Sequence, residues 1–121
     1  MPHENTVQAF IALVQAGDYI GALEQFYYPD ASMQENNDPR RIGRDTLIQH
    51  ERQVMSLFSN IVGKCDGEPL VRGDTVAIRW RFAFTAPDGG SLSLDEIALQ
   101  TWRGDRIAEE KYFYDPKQMS R

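Results

Sequence analysis

Between residues 76 and 85 the chain alternates without a break. Val76, Ile78, Trp80, Phe82 and Phe84 are large and apolar, and Ala77, Arg79, Arg81, Ala83 and Thr85 lie between them. A period of two puts the large side chains on one face of an extended strand, whereas a helix would scatter them around its axis. The segment therefore calls for a sheet with one apolar face. Pro87-Asp88-Gly89-Gly90 follows, and Asp-Gly is a strong hairpin signal. Leu92 to Arg103 reads as the returning strand, Gly104-Asp105 turns again, and Arg106 to Asp115 is the last strand. Upstream, Arg72-Gly73-Asp74 joins an earlier strand of about Ile61 to Arg72. The second half is an antiparallel meander.

The first half has a different period. Val7, Phe10, Ile11 and Val14 recur at helical spacing, Gly17 stops that helix, and Asp18 is placed to cap the next. Tyr19, Leu23, Phe26 and Tyr27 form a second stripe, which Pro29 ends. A short extended piece covers about Ala31 to Glu35. A loop with Arg40, Arg41 and Arg44 then leads into a third helix, about Asp45 to Phe58. Helices first and a meander afterwards imply an α+β fold with the helices on one face of a curved sheet. The 121 residues suit one domain, 1–121, with a real core.

On the third helix, with Leu47 at zero, Val54, Met55 and Phe58 fall close by, Ile48 and Leu57 bracket the stripe, and Glu51 lands near its middle, at roughly 40°. A glutamate there needs a partner or a cavity, since Glu is almost never fully buried unpaired. His50 lies at the edge of the stripe. Both have plain structural alternatives: an internal ion pair for Glu51, a packed or half-exposed ring for His50.

The net charge of −5 argues against nucleic acid and anionic membrane as partners. No apolar run nears the roughly 20 residues that span a bilayer. With no export signal visible and a single cysteine, Cys65, the chain reads as cytoplasmic. Cys65 is expected as a small, half-buried strand residue. No nucleotide, flavin or haem motif and no metal-ligand spacing stands out, so no cofactor or metal is expected.

Three stretches then carry a resemblance: AGDYIGALEQFYYPDASM, RIGRDTLIQHE and QTWRGDRIAEEKYFYDP. In their order and spacing the chain resembles the SnoaL-like branch of the nuclear transport factor 2-like superfamily. That resemblance implies a cone-shaped, cystatin-like α+β fold, three N-terminal helices packed on a curved, mostly antiparallel sheet that encloses a pocket. The superfamily includes ketosteroid isomerases, polyketide cyclases, dehydratases, epoxide hydrolases and non-catalytic binding or assembly domains, so fold alone does not give activity. Laying DASMQE on the isomerase pattern puts Glu35 at the place of the catalytic base. The places of the two oxyanion donors hold Phe10 and Ala98, which argues against steroid isomerisation in its familiar form. Of the cyclase acid/base places on the last strand, Glu110 and Tyr112 are the matches, without the histidine and aspartate expected there.

If Ala98 faces inward, strand alternation sends Leu94, Glu96, Gln100 and Trp102 inward too, and on the last strand Ala108, Glu110, Tyr112 and Tyr114. The expected pocket thus gathers Glu35, Glu51, Glu110 and His50 as catalytic candidates. Phe10, Trp80, Glu96, Trp102, Tyr112 and Tyr114 are its ligand-contacting candidates. A register slip of one residue would turn Glu96 and Glu110 to solvent instead. Arg40, Arg41 and Arg44 read as a solvated loop, with an anion clamp or a counter-charge for the carboxylates as alternatives. On the opposite sheet face, Ala77, Arg79, Arg81, Ile97 and Leu99 are mixed. The relatives' habit of pairing through that face implies a homodimer.

Two functions from different classes follow. One is a cofactor-independent isomerase, cyclase or dehydratase acting on a small hydrophobic, oxygenated molecule, with Glu35 as base, Glu51 or Glu110 as acid and the tyrosines as donors. The other is a non-catalytic ligand-binding or assembly module.

Overall fold

The structure is a computed structural model, and it describes residues 1–120. Helix α1 (Glu4–Gln15) buries Val7, Phe10, Ile11 and Val14, the stripe its spacing requires. Gly17 leaves it at φ +82°, a left-handed conformation that glycine adopts without strain. Asp18 caps α2 (Tyr19–Phe26), accepting a bond from the Gly21 N–H at 2.9 Å. A Cβ at Gly21 would lie 2.3 Å from the Asp18 carboxylate, so the cap depends on that glycine.

Helix α2 ends at Phe26, and strand β1 (Tyr27–Glu35) starts at once. The expected order of helix, gap and strand from Ala31 is corrected here. Tyr28 precedes Pro29, and the proline ring bars it from helical angles, so the chain is already extended before the proline. Tyr27 leaves the helical stripe and becomes the first strand residue. A two-residue strand, β2 (Arg41–Ile42), was not foreseen; it pairs with β1 at Ser32 and Met33. Helix α3 (Arg44–Ser56) buries Leu47 fully, half-buries Ile48 and Val54, and stops before Leu57, which is exposed.

The segment from Ile61 to Arg72 is two strands rather than one: β3 (Asn60–Cys65) and β4 (Leu70–Arg72), which pair with opposite ends of β5 (Thr75–Thr85). Gly63 sits opposite Phe82, whose ring would be 2.5 Å from any added Cβ, so glycine is what lets that ring lie across β3. Strands β6 (Ser91–Arg103) and β7 (Arg106–Phe113) complete the sheet, and a 3-10 turn (Pro116–Met119) is stitched to Asp95 by Gln118.

The sheet order is β2-β1-β7-β6-β5-β3, with β4 also on β5. Every pairing is antiparallel except β1 with β7, which is parallel. The helices lie over the concave face. There Phe10 meets Phe26, Tyr27 and Trp102 edge to face, with centroids 5.7 to 6.2 Å apart. Arg79 and Arg81 point to the other face and pair with Asp66 and Asp95. Leu94, Glu96, Ala98, Gln100 and Trp102 all face inward, as alternation demands.

Alternation fails on β1, where Ala31, Ser32 and Met33 are buried in succession, and on β7. Thr101 pairs with Glu109 and Trp102 with Ile107, so Ala108 is an extra residue in a bulge. Ile107, not Ala108, is fully buried, and Glu110 follows on the same side. Cys65 is half-buried at the end of β3.

Candidate functional site

The helices do not fill the concave face. Between them and the sheet a cavity of about 140 Å³ remains, with walls from all three helices and from β1, β2, β3, β5, β6 and β7. Phe10, Leu23, Met33, Trp80, Phe82 and Leu94 make it largely apolar. Into that wall reach Glu35, Arg41, His50, Glu51, Glu96, Glu110 and Tyr112.

Glu110 is the deepest of these, 3% exposed. Its Oε1 accepts bonds from the hydroxyls of Tyr27 and Tyr112 (2.8 Å for Tyr112), and its Oε2 accepts from the Gln100 amide at 2.6 Å. The Trp102 indole N–H donates to Gln100 Oε1 at 3.0 Å and so sets which way that amide points. Burial raises the Glu110 carboxyl above its usual range, and the three donors pull it back. The same burial and the neighbouring carboxylate push both tyrosine hydroxyls well above theirs.

Glu96 and Glu51 are held differently. Glu96 is 7% exposed and Glu51 is half-buried, yet among the described residues no hydrogen-bond donor reaches either carboxyl. Burial first, and then the charges of Glu110, Glu35 and Glu51, raise Glu96 to about 8. Burial, Glu35 and Glu110 raise Glu51 to about 7, against a smaller opposing effect of Arg41. Tyr19, on the same wall, is raised to about 12 by burial and by Glu51.

Glu35 ends β1 and forms an ion pair with Arg41 at 3.1 Å. Beyond it Asn36 turns at φ +51°, donates its N–H to the Tyr112 carbonyl at 2.8 Å, and accepts from the Tyr114 N–H at 3.0 Å. That is why a strand stops in Glu-Asn: the asparagine takes a left-handed angle and ties β1 to β7, which leaves the glutamate at the cavity. Arg41 and burial together lower the His50 imidazole below its ordinary value, burial being the larger cause.

Several sequence expectations change at this level. Trp102 does not line the cavity; it lies wholly buried behind the wall and orients Gln100. Tyr114 also stands outside the lining, although burial and then the charges of Glu35 and Glu96 raise its hydroxyl to about 12. The solvated loop holds for Arg40 alone, paired at 3.5 Å with exposed Glu109. Arg41 enters the cavity wall, and Arg44 donates to the Tyr27 carbonyl at 3.0 Å, clasping the junction of α2 and β1. Reasoning from sequence missed Tyr27 as a polar part of this site; it placed Gln100 inward without a role and gave Arg41 as a counter-charge only as an alternative to a solvated loop. The Tyr28-Pro29 step was the usable signal for Tyr27, because it places Tyr27 on a strand. Among the described residues no group of three or more His, Cys, Asp or Glu side chains stands close enough to hold a metal ion. None of their helices is long and apolar enough to cross a membrane.

Solved structures share this fold. A SnoaL-like polyketide cyclase candidate from Mesorhizobium loti is 25% identical over 91% of this chain and 97% of its own, with a TM-score of 0.76. TerC, co-crystallised with polyporic acid, is 16% identical over 95% and 92%, with a TM-score of 0.81. A ketosteroid isomerase-like protein from Catenulispora acidiphila, in complex with trimethylamine, is 16% identical over 95% and 88%, with a TM-score of 0.80. The last two are likenesses of fold. No curated protein sequence matches. The SnoaL-like domain model matches residues 7–110, from the first buried position of α1 to the glutamate under the cavity, and the chain belongs to that family.

Proposed function

We propose that this pocket protein is a cofactor-independent acid–base enzyme that moves a proton beside a carbonyl of a small hydrophobic molecule, as an isomerase, cyclase or dehydratase does. One observation carries the reading. Glu51 and Glu96 face the same apolar cavity, take no bond from the protein, and titrate near neutral pH, at about 7 and about 8. A general acid or base works best when its pKa lies near the working pH. In this reading Glu51, the first to lose its proton, is the base, and Glu96 holds its proton as the acid that meets the carbonyl oxygen. The two sense each other's charge, so the pair titrates as a unit. Glu35, tied to Arg41, is the weaker candidate for the base, and Glu110 anchors the Tyr112 hydroxyl rather than shuttling protons. That relatives of this fold hold polyporic acid or trimethylamine supports an occupied cavity.

A second reading, a binding module without turnover, is favoured by the tyrosines. Both buried hydroxyls, Tyr27 and Tyr112, are committed to Glu110, so neither tyrosine is free to donate to a developing oxyanion. The test is deuterium exchange beside the carbonyl of cyclohexanone in heavy water, followed by proton NMR. The enzyme reading expects protein-dependent exchange that is bell-shaped in pH and falls about a hundredfold or more in Glu51→Gln and in Glu96→Gln. Binding without exchange supports the module. Ile97, Leu99 and Phe113 remain partly exposed on the outer sheet face, and a homodimer through that face is part of the proposal. Sedimentation of wild type against Leu99→Glu tests it, and an unchanged molecular mass in the variant removes it.

A further inference from the structure

We infer that the molecule this cavity accepts carries a protonated amine: a small apolar ammonium compound rather than a neutral or an anionic one. The inference rests on the ligand pocket that the enzyme and module readings share; because an ammonium ligand would ionise Glu96, it sides with the binding module.

The cavity has an excess of acid that the protein leaves unanswered. Four carboxyl groups line it: Glu35 from β1, Glu51 from α3, Glu96 from β6 and Glu110 from β7. Against them stand one guanidinium, Arg41 from β2, and the His50 imidazole on α3. Arg41 pairs with Glu35 at 3.1 Å through one terminal nitrogen, while its buried Nε has no partner, and His50 is displaced toward its neutral form. The remaining titratable groups facing the carboxyls are Tyr19, Tyr27, Tyr112 and, behind Glu35, Tyr114, all raised and therefore uncharged near neutral pH. Glu110 has its three donors. Glu96 is more than nine-tenths buried, is aimed into the cavity, and has none. A carboxyl in that position is completed by what enters the cavity, water or a ligand.

The chemistry of that occupant follows by elimination. An anion would meet four carboxyls, and the one guanidinium that could receive it, Arg41, already answers Glu35 and has a single unpartnered N–H to offer. A bare metal ion needs several ligands at about 2.0–2.6 Å, and the described residues offer no group of three ligating side chains that close together. An ammonium group on an apolar body fits both walls: its N–H bonds or its charge answer Glu96 and Glu51, and its hydrocarbon meets Leu94, Trp80 and Phe82. Binding would ionise the two carboxyls, because a neighbouring cation favours the charged form.

Three probes of nearly equal size separate the possibilities: cyclohexylmethylamine, cyclohexylmethanol and cyclohexanecarboxylate. Their affinities for the wild-type protein are measured by calorimetry in two buffers of different ionisation heat. An alkylamine stays protonated below about pH 10. The expected result has three parts. The amine binds about tenfold or more tightly than the alcohol near pH 8. Its binding near pH 7 releases protons to the buffer, as a cation that ionises carboxyls must. In the Glu51→Gln/Glu96→Gln variant the preference drops to about threefold or less. If the alcohol binds as tightly as the amine, or takes up protons on binding, the cationic inference is overturned and the proton-transfer proposal stands. Tighter binding of the carboxylate overturns it equally. A preference that survives in the double variant assigns the recognition elsewhere and also overturns it. Failure of all three probes to bind removes the ligand-pocket reading together with this one. The comparison of probes is made on the wild-type protein, so it does not depend on how well the variant folds.

Discussion

Replacing Glu96 by glutamine should make the protein more stable above neutral pH and leave it nearly unchanged at acid pH. Glu96 is 7% exposed, and burial with three neighbouring carboxylates raises it from 4.5 to about 8. The sign follows from proton counting. Below about pH 4.5 the folded and unfolded chains both hold this proton, and nothing is lost. Between there and about pH 8 the unfolded chain has released it while the folded chain keeps it, so each pH unit lowers folding stability by about 1.4 kcal/mol. Above about pH 8 the loss levels off. The full displacement corresponds to an upper bound of about 5 kcal/mol; part of it is shared with Glu51 and Glu110, so about 2–4 kcal/mol is expected from this residue. Glutamine has the same shape and no charge to bury. Urea unfolding at about pH 5, 7 and 9, read by the fluorescence of buried Trp80 and Trp102, measures it directly. Wild type and Glu96→Gln should differ by under about 1 kcal/mol at pH 5, with the variant ahead by about 2–4 kcal/mol at pH 9. Parallel pH profiles would refute the reasoning, because they would mean that Glu96 ionises in the folded protein as easily as in water.

Other perturbations probe the rest of the site. Arg41→Met removes the cation that helps hold His50 down, so the His50 midpoint should rise toward its ordinary value, as an NMR titration of the ring protons would show. The same change should move Glu51 upward, because Arg41 is the one group opposing its rise. Tyr112→Phe and Gln100→Leu each take a donor from Glu110 and should cost about 1–3 kcal/mol in urea unfolding; a cost near zero would mean that the triple bond set does not hold this carboxyl. Asn36→Gly keeps the left-handed angle and loses the bond to the Tyr114 N–H, whereas Asn36→Ala loses both; the alanine variant should be the less stable by about 0.5–1 kcal/mol.

The strands and helices were legible because their signals are local. Val76 to Phe84 alternate, Val7 to Val14 repeat every three to four residues, Asp18 caps, and Asp88-Gly89 turns; each depends only on nearby residues and on whether one side is wet. The inward row Leu94, Glu96, Ala98, Gln100, Trp102 follows from the same rule and is inward in the structure. The rule broke at Ala108, where one extra residue exchanges Ile107 for it, since a bulge depends on the partner strand and not on the strand's own pattern. It also broke at the end of α2, where steric exclusion before Pro29 outweighs the helical spacing of Tyr27.

Chain order alone therefore carries the α+β plan, the turns and the presence of glutamates at places that ought to be apolar. Only the folded arrangement decides what those glutamates are. Glu35, Glu51, Glu96 and Glu110 come from four different elements; burial raises the last three, and the charges of neighbouring carboxylates raise Glu51 and Glu96 further. Three donors reach Glu110, Arg41 reaches Glu35, and nothing in the described protein reaches Glu96. Those differences are set by distances between residues tens of positions apart, and a pattern that repeats every two or every 3.6 residues holds no information about them.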